Sequence, residues 1–368
     1  MQVRFGPMKK GTHLTIMHNR THHTDPGTPD PSEPTAAQED TASPNEVGCV
    51  AGVDLGGTNL RVALADMAGT ILARWSSSTV GIRSPETILG LICDGVKHTL
   101  RDINVPRDAL RSIAVGVPGI TDVDNGVVLA TSYLMGWQNI PLRARLEQEL
   151  NVAAAIDNDV NLAAIGESWM GVAKAARDFM FLAIGTGIGA GIVLNGRPYR
   201  GSCWAAGEIG YMLLPGSREV PGKSDEPGAL ESVLGGEGIR AQWQNLWNPG
   251  QTALPRELTA TQIFDQAVAG DALAATILRQ SATLLAYAIY NVSGVLNCPL
   301  FVLGGGVGQH PALCRATQTL LEPWDFRQRP RVTCSALGED AQLLGAIRTA
   351  LETAGDHAAY TETCRGLP

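Results

Sequence analysis

Charge is scarce in this chain. Of 368 residues only 17% are Asp, Glu, Lys or Arg, and the balance is −8. A protein that coats nucleic acid or an anionic membrane needs a basic excess, so neither is expected as a partner. Paired cysteines are missing as well. The seven at 49, 93, 203, 298, 314, 334 and 364 form no CxxC or CxC spacing. That argues against a disulfide framework and predicts reduced, mostly buried thiols in a cytoplasmic protein. No apolar run reads as long enough for a membrane span, and the first twenty residues hold no signal-peptide core.

Glycine, in contrast, is abundant, at 42 residues, and its placement is informative. Residues 1–46 are set apart, because "HTDPGTPDPSEPTAAQEDTASPNE" offers almost nothing to bury and is expected to be disordered. The four histidines at 13, 18, 22 and 23 are read as part of a solvated tail, since nothing fixes them around a metal.

Beyond the tail the chain says the same thing twice. Residues 50–75 read strand, glycine turn, strand, turn, strand, and residues 178–200, "DFMFLAIGTGIGAGIVLNGRPYR", repeat that order with an Asn-Gly hairpin turn. Each unit is followed by helical spacing and a strand ending in glycines, "IAVGVPG" at 113–119 and "LFVLGGGVG" at 300–308. The repeat predicts an α/β protein of two similar domains around a cleft, with mixed sheets flanked by helices.

The glycines have a job in such a cleft. Gly56, Gly57, Gly185, Gly187 and Gly189 remove side chains, so backbone N–H groups can approach an anion. Thr58 and Thr186 add hydroxyls at matching places, and two such hairpins could clamp the phosphates of a nucleotide. No Gly-Lys-Ser/Thr follows either loop, and each leads into a strand, so neither is a P-loop or a dinucleotide-binding turn. Gly304, Gly305 and Gly306, before a predicted helix, fit a third contact, to the nucleoside. Asp159 lies at a strand-to-helix junction, where a carboxylate can face the cleft and accept a proton. Helix capping is the alternative role for it and for Asp157. No histidine between 98 and 310 competes as a base.

Over residues 48–352 the chain resembles the ROK family of sugar kinases, within the actin-like (ribonuclease H-like) superfamily. The likeness is carried by "DLGGTNLRVAL", "GVPGITD", "DNDVNLAAIGE", "AIGTGIGAGIVLNGRPYRG", "AAGEIGYM", "GALES" and "LGGGVG". The resemblance implies ATP and Mg2+ as cofactors and phosphorylation of a hexose, glucose first and at the 6-hydroxyl. N-acetylmannosamine, N-acetylglucosamine or another hexose stand as alternatives. It implies Asp159 as catalytic base, Asn158, Glu208, Glu231 and Gly119 at the sugar, and Asp54, Gly56, Gly57, Thr58 and Asn59 at the phosphates, with Asp54 near magnesium.

Three departures stand out. Tyr211 occupies the place of a family histidine, and Tyr133 that of an asparagine. The segment "MLLPGSREVPGKSDEPGALE" lacks the family's zinc-binding cysteines, so no structural zinc is expected and Tyr211 is read as a pocket wall. A transcriptional repressor of the same family would carry a helix-turn-helix, which the Pro-rich acidic tail does not offer. A silent sugar-binding protein is a further alternative, and an actin-like ATPase would leave the two glutamates unexplained. The expected boundaries are 1–46 tail, 47–167 plus 340–354 small domain, 168–339 large domain and 355–368 C-terminal tail. The segment 278–297 is read as a core helix, with a homodimer face as the alternative.

Overall fold

The computed structural model of the chain describes residues 48–365 except 83, 132, 133, 135 and 223–225, and no side chain beyond residue 357. The expected disorder of residues 1–46 and the Tyr133 departure therefore lie outside the described residues.

The first half of the body contains β1 (Cys49–Leu55), β2 (Asn59–Asp66), β3 (Ile71–Ser78), α1 (Pro85–Asp102), β4 (Leu110–Val117), β5 (Ile120–Asp122), β6 (Val127–Ala130), β7 (Gln138–Ile140), α2 (Leu142–Leu150) and β8 (Ala153–Asn158). The helix α3 (Asp159–Trp169) leads into β9 (Phe179–Ile184), β10 (Ile188–Leu194) and β11 (Arg197–Tyr199). Then come α4 (Glu231–Leu234), α5 (Gly236–Leu246), α6 (Ala260–Val268), α7 (Ala272–Leu296), β12 (Leu300–Gly304), α8 (Gly305–Gly308), α9 (Pro311–Leu321), β13 (Arg331–Cys334) and α10 (Ala341–Arg365).

The repeat in the sequence is a repeat in the fold. One sheet has the order β3-β2-β1-β4-β8 and the other β11-β10-β9-β12-β13. In each, the first two strands of the unit pair antiparallel and the next two add in parallel. A small antiparallel sheet, β5-β6-β7, sits in the crossover from β4 to β8.

Side-chain alternation explains the layers. On β1, Cys49, Ala51, Val53 and Leu55 join the core under α1, with Ile88, Ile92 and Val96, whereas Val50 faces Leu343, Ile347 and Ala350 of α10. On β9, Met180, Leu182 and Ile184 join the core built with α5, α6, α7 and α9, whereas Phe179 and Phe181 meet Ala163 and Ala164 of α3. Both faces of each central strand are buried, so these strands read as near-continuous apolar runs. Each fully buried Leu or Ile contributes about 1.5–3 kcal/mol.

α10 and α3 therefore fill equivalent places, one on each sheet, and pack on each other between them. The crossing is made by two glycines. A Cβ on Gly345 would lie 1.8 Å from the Leu162 carbonyl oxygen, and one on Gly166 would lie 2.3 Å from that of Ala341. Helix propensity favours Ala over Gly by about 1 kcal/mol, but contact at that distance forces the helices apart. Gly345→Ala should therefore destabilise the fold by a net amount on the order of 1–3 kcal/mol, read as a lower urea midpoint. A raised midpoint would show that the crossing can open without loss.

Two sequence expectations change. α7 is long and apolar enough to cross a membrane, at a mean hydropathy of 1.3, contrary to the reading that no such run exists. Its apolar side, including Leu284, Leu285, Ala288 and Ile289, is buried in the core, as the core-helix reading has it. The helix expected over 340–354 runs on to Arg365, through most of the segment expected to be a tail.

Candidate functional site

The glycine loops are sorted by what surrounds them. Gly304 and Gly305 are needed for packing. A Cβ on Gly304 would lie 2.1 Å from the Phe181 ring, and Gly305, at φ 76°, would lie 2.5 Å from the Ile184 carbonyl oxygen. Gly185 and Gly306 have open space where a Cβ would go. The Gly185-Thr186-Gly187 turn is closed by the Gly185 N–H on the Gly187 carbonyl (2.9 Å). The Gly185 carbonyl in turn accepts the Gly236 N–H at the start of α5 (2.8 Å), which plants that helix N-terminus on the loop. In the first hairpin, the Gly56 N–H donates to the Asn59 carbonyl (2.8 Å), while the Thr79 hydroxyl and N–H brace the carbonyls of Gly56 and Thr58. Thr58 and Asn59 stay exposed.

Asp54, at the end of β1, is not a lone acid. The register of the hairpin sets Arg61 opposite it, and Arg61 donates from Nε (3.0 Å) and Nη2 (2.6 Å) to Asp54 Oδ2. Burial pushes the Asp54 carboxyl up and the guanidinium opposes that push. Arg61 is a residue that the sequence reading missed. The signal was available, because a tight antiparallel turn makes positions 54 and 61 a cross-strand pair.

Asn158, Asp159 and Asp157 divide three tasks at the β8–α3 junction. Asn158 is the N-cap, its Oδ1 accepting the N–H groups of Val160 (2.9 Å) and Asn161 (3.1 Å). Its Nδ2 donates to the Gly119 carbonyl (2.9 Å), and Gly119 holds φ 105° with no room for a Cβ beside Ala130. Neither aspartate is the cap. Asp157, 2% exposed, binds Arg200. That leaves Asp159, whose Oδ1 accepts the adjacent Val160 N–H (2.9 Å).

Asp159 is half-buried. That burial, then the negative charge of Asp54, and then that of Glu208 push its carboxyl up to about 7. Acids from both halves of the body thus converge on this carboxylate. Glu208 is itself raised by burial and by Glu231, although its own surface is exposed. Glu231, at the first turn of α4, is raised by burial, and its Oε2 accepts the Ile188 N–H (2.8 Å). Tyr211 follows Glu208 on a single helical turn and is 43% exposed. Trp204, in the same loop, has φ 63°, whereas all other described non-glycine residues at positive φ are Asn. A bulky residue held there stores about 1–3 kcal/mol of strain.

Among the described residues no group of three His, Cys, Asp or Glu is arranged to hold a metal. The segment around 212–231 is shaped instead by the Ser217 hydroxyl on Leu214 (2.8 Å) and by an ion pair between Arg218 and Glu226 (3.2 Å). For magnesium the donor chemistry is suitable. The cation takes oxygen ligands and keeps several waters, and Asp54 Oδ1 lies outside the Arg61 contacts.

Residues 50–353 match the model of the ROK family. A glucokinase of Halalkalibacterium halodurans is 32% identical over 311 residues, covering 80% of this chain and 92% of that protein. A xylose repressor of Caldicellulosiruptor bescii is 26% identical over 274 residues, 70% of this chain and 66% of the repressor. The crystal structure of a ROK hexokinase from Thermus thermophilus has a TM-score of 0.66 to this fold at 28% identity, covering 84% of this chain and 99% of that one. The repeated sheets, the glycine hairpins and a family match over well over half of the chain agree, and the chain belongs to the ROK family.

Proposed function

We propose that the protein transfers the γ-phosphoryl group of ATP to a hexose, with glucose as the first candidate and its 6-hydroxyl as acceptor. The observation that carries the reading is Asp159, a carboxylate raised to about 7 between acids of both halves. A base with its pKa near working pH combines the right protonation state with a useful driving force. Phosphoryl transfer asks for little more than in-line positioning, charge stabilisation and one group to accept the hydroxyl proton.

Asp159 would accept that proton. Glu208 and Glu231 would accept hydrogen bonds from sugar hydroxyls, as carboxylates do, with the second N–H of Asn158 and the Tyr211 ring completing the pocket. The open sides of Gly185 and Gly306, with Gly56, Gly57, Thr58, Asn59, Thr186 and Gly187, would line the phosphates. Asp54 would hold magnesium through water. Bound there, the cation neutralises phosphate charge. The likeness to the glucokinase of Halalkalibacterium halodurans supports this reading, and a cytoplasmic location would accord with ATP as donor.

The test is a coupled assay of ADP release with glucose, mannose, N-acetylglucosamine and N-acetylmannosamine. Turnover with at least one hexose is expected. Saturable sugar binding by calorimetry without turnover would favour the second reading, a sugar sensor, which the similarity to the xylose repressor supports.

We also propose that the fold needs no structural zinc. Prolonged treatment with a strong chelator should leave the melting curve unchanged. Stoichiometric zinc by elemental analysis, with loss of structure on its removal, would refute this.

A further inference from the structure

We propose that Asp157 and Arg200 form a positioning latch that fixes the Asn158-Asp159 junction against the loop carrying Glu208. The inference rests on the phosphotransfer reading. Asp157 lies at the end of β8, the edge strand of the first sheet, and Arg200 directly follows β11, the edge strand of the second. No strand pairing joins the two sheets among the described residues, so this ion pair is a direct polar tie between their edges.

Each partner is anchored on its own side. Asp157 Oδ1 accepts the Asn158 backbone N–H (2.8 Å) and the Asn161 side-chain amide (3.1 Å), which locks it to the junction where the base sits. Arg200 donates from Nε (3.0 Å) and Nη2 (2.5 Å) to Asp157 Oδ2. Its own carbonyl accepts the Ala206 N–H (3.1 Å), closing the loop that delivers Glu208. Gly207 then fixes the exit of that loop. It sits at φ 100°, its carbonyl accepts the Ala190 N–H (2.8 Å), and a Cβ on it would be 1.9 Å from the Ala190 oxygen. The loop cannot slide along β10, so its remaining freedom is to swing away from β8. The guanidinium on Asp157 opposes that swing.

A fork-to-carboxylate pair of this kind is directional as well as attractive. Its charges are well shielded, since the Asp157 side chain is 3% exposed and that of Arg200 24%. A misplacement of about 1 Å between a base and its substrate can cost about 10²-fold in rate. The latch thus predicts an effect on kcat larger than one on affinity, although neither residue needs to touch the sugar.

The experiment compares Asp157→Asn, Arg200→Met, the double variant and Arg200→Lys. Asparagine keeps an acceptor for the Asn158 N–H and replaces the oxygen facing Arg200 by an NH2 group, removing both the charge and the acceptor there. Each single change should lower kcat about 10–100-fold, raise the KM for sugar a few-fold and leave the KM for ATP unchanged. The double variant should be no worse than the poorer single variant, and Arg200→Lys should recover part of kcat. Hydrogen exchange should speed up at the amides of residues 200–208 in both single variants. A lowered Tm with kcat intact would make the pair a mere staple and overturn the proposal. So would multiplicative losses in the double variant, or unchanged exchange at 200–208. Absence of wild-type turnover on every sugar tested would refute the phosphotransfer reading, whereas the exchange measurement needs no turnover, and unchanged exchange would overturn the latch even then.

Discussion

Asp159→Asn should lower kcat by about 10²–10⁴-fold while leaving sugar binding nearly intact. The amide keeps the size of the carboxylate and can still accept the Val160 N–H, but it cannot take a proton from the acceptor hydroxyl. Retention of more than about a tenth of wild-type kcat would remove Asp159 from the role of base. The pH profile gives a second check. With the Asp159 carboxyl raised to about 7, the wild-type kcat/KM should fall about tenfold per pH unit below that value.

Stability should move the other way. An acid with its native pKa above its unfolded value keeps a proton in the folded state that the unfolded chain has already released. The contribution of Asp159 to wild-type stability therefore declines as pH rises from about 4 to about 7 and then levels off. The Asn variant carries no such charge, so its Tm should exceed that of the wild type at pH 8 and converge with it near pH 4. Equal Tm values at pH 8 would mean that Asp159 is not held in the environment described.

Arg61→Met should cost about 2–3 kcal/mol of stability at neutral pH. Loss of one partner from a fully buried pair costs about 3–5 kcal/mol; Arg61 is 27% exposed and Asp54 13%, so solvent softens the loss. Methionine retains the apolar stem and removes the guanidinium, leaving the Asp54 carboxylate without its counter-charge. Asp54 is already pushed up by burial, and the loss of Arg61 raises it further. The penalty exists only while that carboxylate is ionised in the folded state. The gap in urea midpoint between variant and wild type should therefore be widest at pH 8 and narrow toward pH 5. A gap that is absent, or equal at both pH values, would show that Asp54 does not depend on Arg61. Activity should fall with the same substitution, because Asp54 faces the proposed phosphate loop.

Much of this architecture is written locally in the chain. Alternating apolar residues, the Asn195-Gly196 turn and the glycine pairs specify strand, turn and strand without reference to distant residues, so the two hairpins and their repeat were legible in the sequence. Asp159 was legible for the same reason, since a strand followed by "NDVNLAAIGE" announces a helix start with an acid in its first turn. Tertiary structure decided what depends on chain crossings. Asp157 meets Arg200 across 43 residues. Glu167, which is fully buried, is held by the Ser335 hydroxyl and the Leu337 N–H, far along the chain. The spacing of α3 and α10 rests on Gly166 and Gly345, whose need for close approach appears only when the helices cross. The charge state of Asp159 is of this second kind. Its residue type fixes an ordinary carboxylate, and only burial together with Asp54 and Glu208, brought in from separate segments, moves it to about 7, because Coulomb and desolvation energies depend on distance in space and not along the chain.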